Sequence, residues 1–425
     1  MPLSLPASFS RKTVVSNVVS LTVGSAIAQF LMAASVLLVA RQLGPAKFGE
    51  YAATFSAVAL SSVLFNLGLD TWLLRGGARR PDEMRSLLGN ALTVKLVLGI
   101  PWLAAVAFVL PRLNPQTFQL PLILVSGLSI WAEGLFSVGL SAFRALLRNE
   151  TTAVLLVGAR GGVFLLTVLL AVAGIQDPNI FAGVRLAMGG VALIATLLLL
   201  PARPALGRGS PQVIETARAS FPYALSDLMM SVYVQADVTI AAVILGKRAV
   251  GFYAPASNLI SALTVVPLAL FYVTVPVLTN ALQASWPQFK KLLRTTLTVS
   301  LLVGLALWAV TWLSTGILPL LLGEAFRPSA PLLAILSPIL FLKTCSFGAA
   351  AILVAVGWQT RRLYVQMAAA TANVVLNLLL IQQWGISGVA WVYVASEALL
   401  TVGYLALVSV WVHRASRLPD TWSLS

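Results

Sequence analysis

The sequence is poor in the residues with which soluble enzymes build reactive centres. Its 425 residues include one cysteine, Cys345, and one histidine, His413. A single cysteine excludes an internal disulfide and a multi-cysteine metal site. With one histidine as well, we expect neither a zinc site nor a catalytic triad. The pattern G-x-x-x-x-G-K-[ST] is also missing, so we expect no P-loop ATPase.

Charged residues are equally scarce. Only 10% of the residues are charged and 59% are hydrophobic, whereas a soluble protein carries roughly 25% charged residues. This composition excludes a water-soluble globular protein and a disordered chain. The formal net charge is +15. On a soluble protein that excess would suggest nucleic-acid binding. On a membrane protein it indicates the bias of basic residues that sets orientation.

Apolar runs follow one another along the whole chain. A membrane-spanning helix needs about 20 mostly apolar residues, and the runs between charged, proline and glycine breaks give about twelve spans. We therefore predict an all-α integral membrane protein. The predicted spans are residues 14–40, 50–73, 87–110, 118–143, 151–174, 179–200, 219–245, 250–281, 292–322, 329–356, 363–383 and 387–412.

The basic residues predict the orientation of these spans. With the N-terminus in the cytoplasm, 18 of the 28 lysines and arginines fall on the cytoplasmic side and 6 on the outer side. This is the positive-inside pattern. An even number of spans then places both termini in the cytoplasm. Four basic residues remain within spans, and they are the candidates for contact with a substrate.

An internal repeat divides the chain. LGPAKFGEYA at 43–52 and LGKRAVGFYA at 245–254 share five of ten residues at a constant offset. Each copy lies between the first and second spans of its half. Parallel six-span repeats around a midplane cavity are a common transporter architecture. We predict an N-terminal six-helix lobe at 1–205, a cytoplasmic linker at 206–218 and a C-terminal six-helix lobe at 219–425.

Several motifs carry a resemblance to a known superfamily. They include LGPAKFGEYA and then FNLGLDTWLLRGGAR at 65–79. In the second half they are QAD at 235–237, LGKRAVGFYAPASN at 245–258 and GISGVA at 385–390. In order and spacing the chain resembles the polysaccharide-export and O-antigen (Wzx-like) flippases of the MOP exporter superfamily. That superfamily also contains the lipid II flippase MurJ and the MATE multidrug exporters.

The resemblance implies a V-shaped bundle of two lobes around a cavity that opens alternately to each side. It implies a cargo of undecaprenyl-pyrophosphate-linked oligosaccharide, moved to the outer leaflet of a bacterial cytoplasmic (inner) membrane for O-antigen or exopolysaccharide biosynthesis. The partners it implies are this lipid-linked glycan, membrane lipids and other glycan-assembly membrane proteins, with no nucleic acid. We expect no cofactor and no metal beyond coupling to Na⁺ or H⁺.

Basic residues inside the spans are candidates for binding the pyrophosphate. An ionisable residue facing lipid costs several kcal/mol, so it normally faces a cavity or a partner, and arginine binds phosphate through two parallel hydrogen bonds. An alternative stays open, in which these residues pair with acids such as Glu133 or extend to the interface. The candidates are Arg160, Arg185, Lys95 and Lys343.

Acidic and amide residues are candidates for a coupling-ion site. Their oxygens suit Na⁺ or protons, and the resemblance implies such a site in the C-terminal lobe. Hydrogen bonds between helices are the alternative. The candidates are Asp237, Asp227, Glu397, Asn373 and Asn377. For Asp70, at the cytoplasmic end of the second span, we expect a capping role or an ion pair with Arg75 or Arg79.

Two other functions compete with the flippase. A MATE-type cation-coupled multidrug exporter would share the fold and depend more on the acids than on the arginines. A membrane glycan polymerase or ligase would need a large outer loop or acids in the first outer loop. Every predicted outer loop is short, and only Glu50 lies near the first. We therefore predict a transporter and not an enzyme.

Overall fold

The computed structural model describes residues 11–200, 204–205 and 210–415. Within these residues all regular structure is helical and no strand occurs. The prediction of an all-α chain is confirmed for them. Both termini, for which a cytoplasmic location is predicted, and residues 206–209 of the predicted linker lie outside the described residues. The rest of that linker, 210–218, forms the first turns of a long helix.

Fifteen α-helices follow one another along the described residues. The first eight are α1 (Arg11–Ser61), α2 (Val63–Asn66), α3 (Leu69–Arg79), α4 (Met84–Leu113), α5 (Leu120–Ala145), α6 (Asn149–Val172), α7 (Pro178–Leu199) and α8 (Ser210–Ile244). The others are α9 (Lys247–Leu263), α10 (Val265–Ala284), α11 (Trp286–Leu313), α12 (Ile317–Leu322), α13 (Ser329–Leu336), α14 (Pro338–Ala355) and α15 (Gln359–Ala415). Ten segments of the described residues are long and apolar enough to cross a membrane.

Two of these ten segments are longer than one membrane crossing needs. They contain 47 and 57 residues, and a glycine with non-helical backbone interrupts each. Gly44 has a φ of 68° and Gly385 a φ of 57°, a region that glycine enters without the steric cost of a Cβ atom. The two glycines lie in the predicted loops after the first and the eleventh spans. The count of twelve crossings itself stays a prediction.

The second predicted span is broken within its length. Leu67 and Gly68 both have positive φ angles, 43° and 70°, so the helix stops after α2 and restarts at α3. A Cβ atom at Gly68 would lie 2.5 Å from Cβ of Tyr223 on α8, so only glycine allows this approach. Broken helices are tolerated at membrane depth where protein surrounds them. The break places Asp70 in the first turn of α3.

Glycines also let intact helices approach one another. A Cβ atom at Gly139 on α5 would lie 2.3 Å from Cγ2 of Thr196 on α7. A Cβ atom at Gly348 on α14 would lie 2.3 Å from Oγ of Ser300 on α11. In lipid there is little hydrophobic drive between helices, because the surrounding chains are as apolar as the side chains. Close packing at such small residues supplies the attraction instead.

The chain divides into two compact units, with the boundary between Gly251 and Phe252. In the first unit, α5 packs against α3, α4 and α7, and α6 runs along α1. In the second unit, α14 packs against α10, α11 and α15. The predicted division into lobes at 206–218 rests on the internal repeat and stays a prediction.

Within the first unit, the two repeated segments contact each other reciprocally. A Cβ atom at Gly49 would lie 1.7 Å from the carbonyl oxygen of Lys247, and one at Gly251 would lie 1.8 Å from that of Pro45. In the repeat, Gly49 corresponds to Gly251 and Pro45 to Lys247, so exchanging the repeats exchanges the two contacts. An ion pair adds to them, since Lys247 Nζ lies 2.9 Å from Glu50 Oε2.

Replacing Gly251 by alanine tests this contact. The added methyl group would overlap the Pro45 carbonyl, and we expect a loss of about 1–3 kcal/mol of stability, as for overpacked cores. The control is Gly183→Ala on α7, where a Cβ atom meets nothing within 4 Å and alanine favours the helix. The measurement is the midpoint of thermal unfolding in detergent. Equal midpoints for the two variants would contradict the interpretation.

Candidate functional site

The middle of α5 separates two clusters of buried charge in the first unit. On one side its Glu133 carboxylate meets arginines from α6 and α7. On the other side the backbone carbonyl of the next residue, Gly134, accepts a hydrogen bond from Lys95 on α4. Trp131 on α5 also donates to the Lys95 carbonyl at 3.0 Å. One helix turn therefore organises both clusters.

The arginine cluster consists of Glu133, Arg160 and Arg185. A single carboxylate oxygen, Glu133 Oε1, accepts hydrogen bonds from Arg160 Nη1 at 3.1 Å and from Arg185 Nη2 at 3.0 Å. Three helices converge here, because α5, α6 and α7 contribute one residue each. The two arginines lie together and pair with Glu133, as the alternative foresaw, and their role in substrate binding stays a prediction.

The wall of this cluster comes from α1. The Arg185 guanidinium lies over the ring of Phe55, with 4.1 Å from Cζ to the ring centroid, a favourable cation–π geometry. The Tyr51 hydroxyl is within hydrogen-bonding reach of the same guanidinium. Arg160 Nη1 lies 3.8 Å from the Met32 sulfur. These contacts fix the arginine side chains in position and leave part of their surface accessible.

The cluster is partly exposed and carries excess positive charge. The side chains of Arg160, Glu133 and Arg185 are 25%, 23% and 13% exposed. Exposure of these charges to hydrocarbon would cost several kcal/mol, so we infer that the exposed surface faces water inside the bundle. Two guanidinium groups against one carboxylate leave one net positive charge. The arrangement therefore favours an anionic ligand.

In the lysine cluster the cation is buried, although the Asp70 side chain is 36% exposed. Lys95 exposes no surface, and its Nζ lies 2.9 Å from Asp70 Oδ1 and 2.8 Å from the Gly134 carbonyl oxygen. Asp70 also accepts a hydrogen bond from Ser137. Asp227 on α8 is near enough for its charge to interact with both Lys95 and Asp70. Lys95, a predicted substrate residue, therefore presents no charge to a ligand in this structure.

The expected role of Asp70 is corrected by this geometry. Its partner is Lys95 and not Arg75 or Arg79. Arg75 lies instead over the ring of Tyr223, 5.3 Å from the centroid. The break at Gly68 is the physical reason, because it restarts the helix with Asp70 turned toward α4 and α5.

In the second unit, a predicted substrate residue and a predicted coupling residue pair with each other. Lys343 Nζ on α14 lies 3.1 Å from Glu397 Oε2 on α15, and the two side chains are 10% and 1% exposed. The Lys343 ammonium also lies 5.6 Å from the centroid of the Tyr393 ring. This pair is enclosed by protein and electrically balanced.

The remaining coupling candidates lie on α15 in the second unit and on α8 in the first. Asn377 Nδ2 donates to Asn373 Oδ1 at 3.2 Å, and both residues are buried. Asp237 is buried on α8. It lies ten residues from Asp227 on the same helix, which is about 15 Å at the α-helical rise. These two carboxylates therefore cannot bind the same ion. The described residues contain no group of three His, Cys, Asp or Glu suited to a metal.

The comparison with protein families identifies the chain. Residues 38–331 match a family described as "Polysaccharide biosynthesis protein". The chain belongs to this family. No curated protein matches the chain in a sequence comparison.

Solved structures that share the fold of this family member are transporters. It is similar to the lipid II flippase MurJ in an inward closed conformation, with a TM-score of 0.74 and 13% identity over 94% of this chain and 93% of that one. A MATE family multidrug resistance transporter of the MOP superfamily, inward-facing, gives 0.71 at 15% identity over 92% and 96%. A MOP superfamily transporter from Pyrococcus furiosus gives 0.63 at 15% over 96% and 97%.

At these identities the likeness establishes the fold. It confirms the predicted resemblance to the MOP superfamily and the predicted class, a multi-pass helical membrane bundle. These three solved structures are described as transporters or a flippase, in agreement with the prediction of a transporter and not an enzyme.

Replacing Lys95 tests the lysine cluster. Lys95→Met leaves Asp70 without its cation, and we expect a loss of about 1–3 kcal/mol, between the values for an exposed and a buried pair, because the Asp70 side chain is 36% exposed. Lys95→Met combined with Asp70→Asn removes both charges and should recover most of that loss. Arg80→Met, which breaks an exposed pair with Glu83, is the control and should change little. The measurement is thermal unfolding in detergent, and a double variant no more stable than Lys95→Met would disprove the pairing argument.

Proposed function

We propose that this protein is a flippase that moves undecaprenyl-pyrophosphate-linked oligosaccharide from the cytoplasmic to the outer leaflet by alternating access. Its place would be the bacterial cytoplasmic membrane, with both termini in the cytoplasm. Its role would be O-antigen or exopolysaccharide biosynthesis. The family supports a task in polysaccharide biosynthesis, and the fold, shared with a lipid II flippase, supports transport of a lipid-linked substrate.

The observation that carries this proposal is the arginine cluster. Arg160, in the middle of α6, and Arg185, about two turns into α7, meet with one net positive charge and with exposed surface. A diphosphate needs such a site, because guanidinium groups match phosphate oxygens in geometry and charge. The Lys95 and Lys343 side chains are buried and each is engaged by an acid, so we assign the diphosphate to the two arginines.

The MATE-type exporter is the second candidate, favoured by the similarity to a MATE family structure. It would depend more on the acids than on the arginines. The net positive charge of the arginine cluster instead favours an anionic cargo. A glycan polymerase or ligase is a weaker third candidate, because Glu50 beside the first outer loop is bound to Lys247.

Replacing either arginine tests the proposal. Arg160→Ala or Arg185→Ala should reduce export about ten- to hundredfold, the loss expected for one charge-assisted contact to phosphate. The readout is lipid-linked oligosaccharide retained in the cytoplasmic leaflet of cells that depend on the variant. Arg327→Ala is the control, because its side chain is 82% exposed. Normal export by both cluster variants at normal membrane abundance would refute the proposed site.

Ion coupling is a separate part of the proposal. Asp237 is our first candidate, because it is buried in the middle of the membrane-spanning part of α8. Asp227, Glu397, Asn373 and Asn377 are the further candidates for Na⁺ or H⁺.

Asp237→Asn should therefore make transport in proteoliposomes less dependent on an imposed Na⁺ or H⁺ gradient. The amide keeps the shape of the side chain and removes the charge that a cation would neutralise. Asp82→Asn, at an exposed position before α4, is the control. If the gradient dependence of Asp237→Asn equals that of the control, Asp237 has no part in coupling.

A further inference from the structure

One carboxylate holds both arginines of the proposed diphosphate site. Glu133 Oε1 accepts from Arg160 and Arg185 within 3.1 Å. The N–H groups that it occupies are those with which a guanidinium binds a phosphate oxygen. Glu133 and a diphosphate therefore compete for the same donors.

The net charge of the site depends on whether Glu133 is ionised, and this charge determines how strongly a diphosphate binds. With Glu133 ionised the cluster has one net positive charge, and without that carboxylate charge it has two. A diphosphate carries at least two negative charges, so it interacts more strongly with the doubly charged site. Its binding is strongest when Glu133 has left the arginines and carries no charge.

We propose that Glu133 is the resident anion of the site, that a diphosphate displaces it from Arg160 and Arg185, and that the displaced carboxylate takes up one proton. This inference rests on the proposed function. In the step, the hydrogen bonds from the guanidinium groups to Glu133 break and those to phosphate oxygens form. The proton passes from water at the exposed surface of the cluster to a Glu133 oxygen.

The surroundings of Glu133 explain why a proton must follow. The groups that face it are Arg160 from α6, Arg185 from α7 and Tyr51 from α1. Across α5, Lys95 is already bound to Asp70. Once both arginines bind phosphate, an ionised Glu133 would be a carboxylate in the membrane interior beside an anion. Such a charge costs several kcal/mol, and protonation removes it.

The same competition makes Glu133 a specificity-determining residue. A membrane contains a large excess of phospholipids, each with one phosphodiester charge. A single charge gains little by replacing a carboxylate of equal charge, whereas a diphosphate gains a second interaction. A protein can gain specificity by making the wrong ligand bind less well, and here Glu133 does so by competing with a phospholipid phosphate for the arginines. It keeps the arginines available to a diphosphate amid abundant phospholipid.

Glu133→Gln separates these effects, because the amide keeps the shape and cannot ionise. The probe is undecaprenyl diphosphate, titrated into protein in phosphatidylcholine nanodiscs at a series of pH values. Wild-type affinity should fall as the pH rises, because binding requires protonation of Glu133. The variant should bind about tenfold more tightly at high pH, the low end of coupling energies for close charge pairs. In the variant, the remaining pH dependence of the affinity should be only that caused by titration of the diphosphate.

Two further readouts distinguish displacement from a merely structural role. In weakly buffered solution, wild-type protein should take up one more proton per bound diphosphate than Glu133→Gln does. Phosphatidylglycerol in the nanodisc should inhibit diphosphate binding to the variant and leave the wild type nearly unaffected. Glu324→Gln is the control, because its side chain is 83% exposed, and it should behave as wild type in every measurement.

Glu133→Asp keeps the test decisive if Glu133→Gln fails to fold. The shorter carboxylate keeps its charge but reaches the arginines less well, so diphosphate affinity should rise severalfold while proton uptake remains. Unchanged or weaker diphosphate binding by folded Glu133→Asp would overturn the inference, and so would proton uptake by folded Glu133→Gln equal to that of the wild type. Arg160→Ala separates this failure from that of the proposed function. If it binds diphosphate as wild type does, the site itself is wrong, and if it alone loses binding, only the displacement fails.

Discussion

Charge cannot remain uncompensated inside a bilayer, and this constraint determines the interior of the protein. An ionised side chain at the centre of a spanning helix costs at least about 2.5–3.5 kcal/mol. Each of the four basic residues within the predicted spans meets an acid from another helix. The partners of α4 and α14 come from α3 and α15, and those of α6 and α7 come from α5. The ion pairs therefore specify which helices meet and how they face one another.

The same constraint distinguishes charged residues that only hold helices together from those that could bind a ligand. Lys343 is balanced by Glu397, and Lys95 by Asp70 with Asp227 nearby, and both lysine side chains are buried. A pair of this kind orders helices but has nothing left for a ligand. The arginine cluster has two cations for one acid and keeps exposed surface. An imbalance that burial would penalise is tolerated only where water or a ligand compensates it. That difference, and not the number of arginines, favours the cluster as the binding site.

Much of the helical architecture could be predicted from the sequence, because a long apolar run indicates a spanning helix. The kinks at Gly44 and Gly385 also fall where apolar runs are interrupted. The break at Leu67–Gly68 could not be predicted, since the apolar run continues through it and a close approach of α8 decides it. The pairing of Lys343 with Glu397 could not be predicted either, because the spacing of residues along α14 and α15 does not show which of their side chains meet. Glu133 was visible as an acid, but its position between two arginines depends on how three helices pack.

Comparison of the two repeated segments shows which residues recur for backbone packing and which differ. Gly49 and Gly251 recur because both copies need the close approach of one helix start to the other. The neighbouring positions are free to differ, and Glu50 corresponds to Phe252. Tyr51 and Tyr253 recur as buried side chains, which indicates a shared packing requirement. Tyr51 also lies beside an arginine that we assign to a ligand. The repeat thus gives two similar frameworks, and the proposed anion site uses side chains that belong to the first of them.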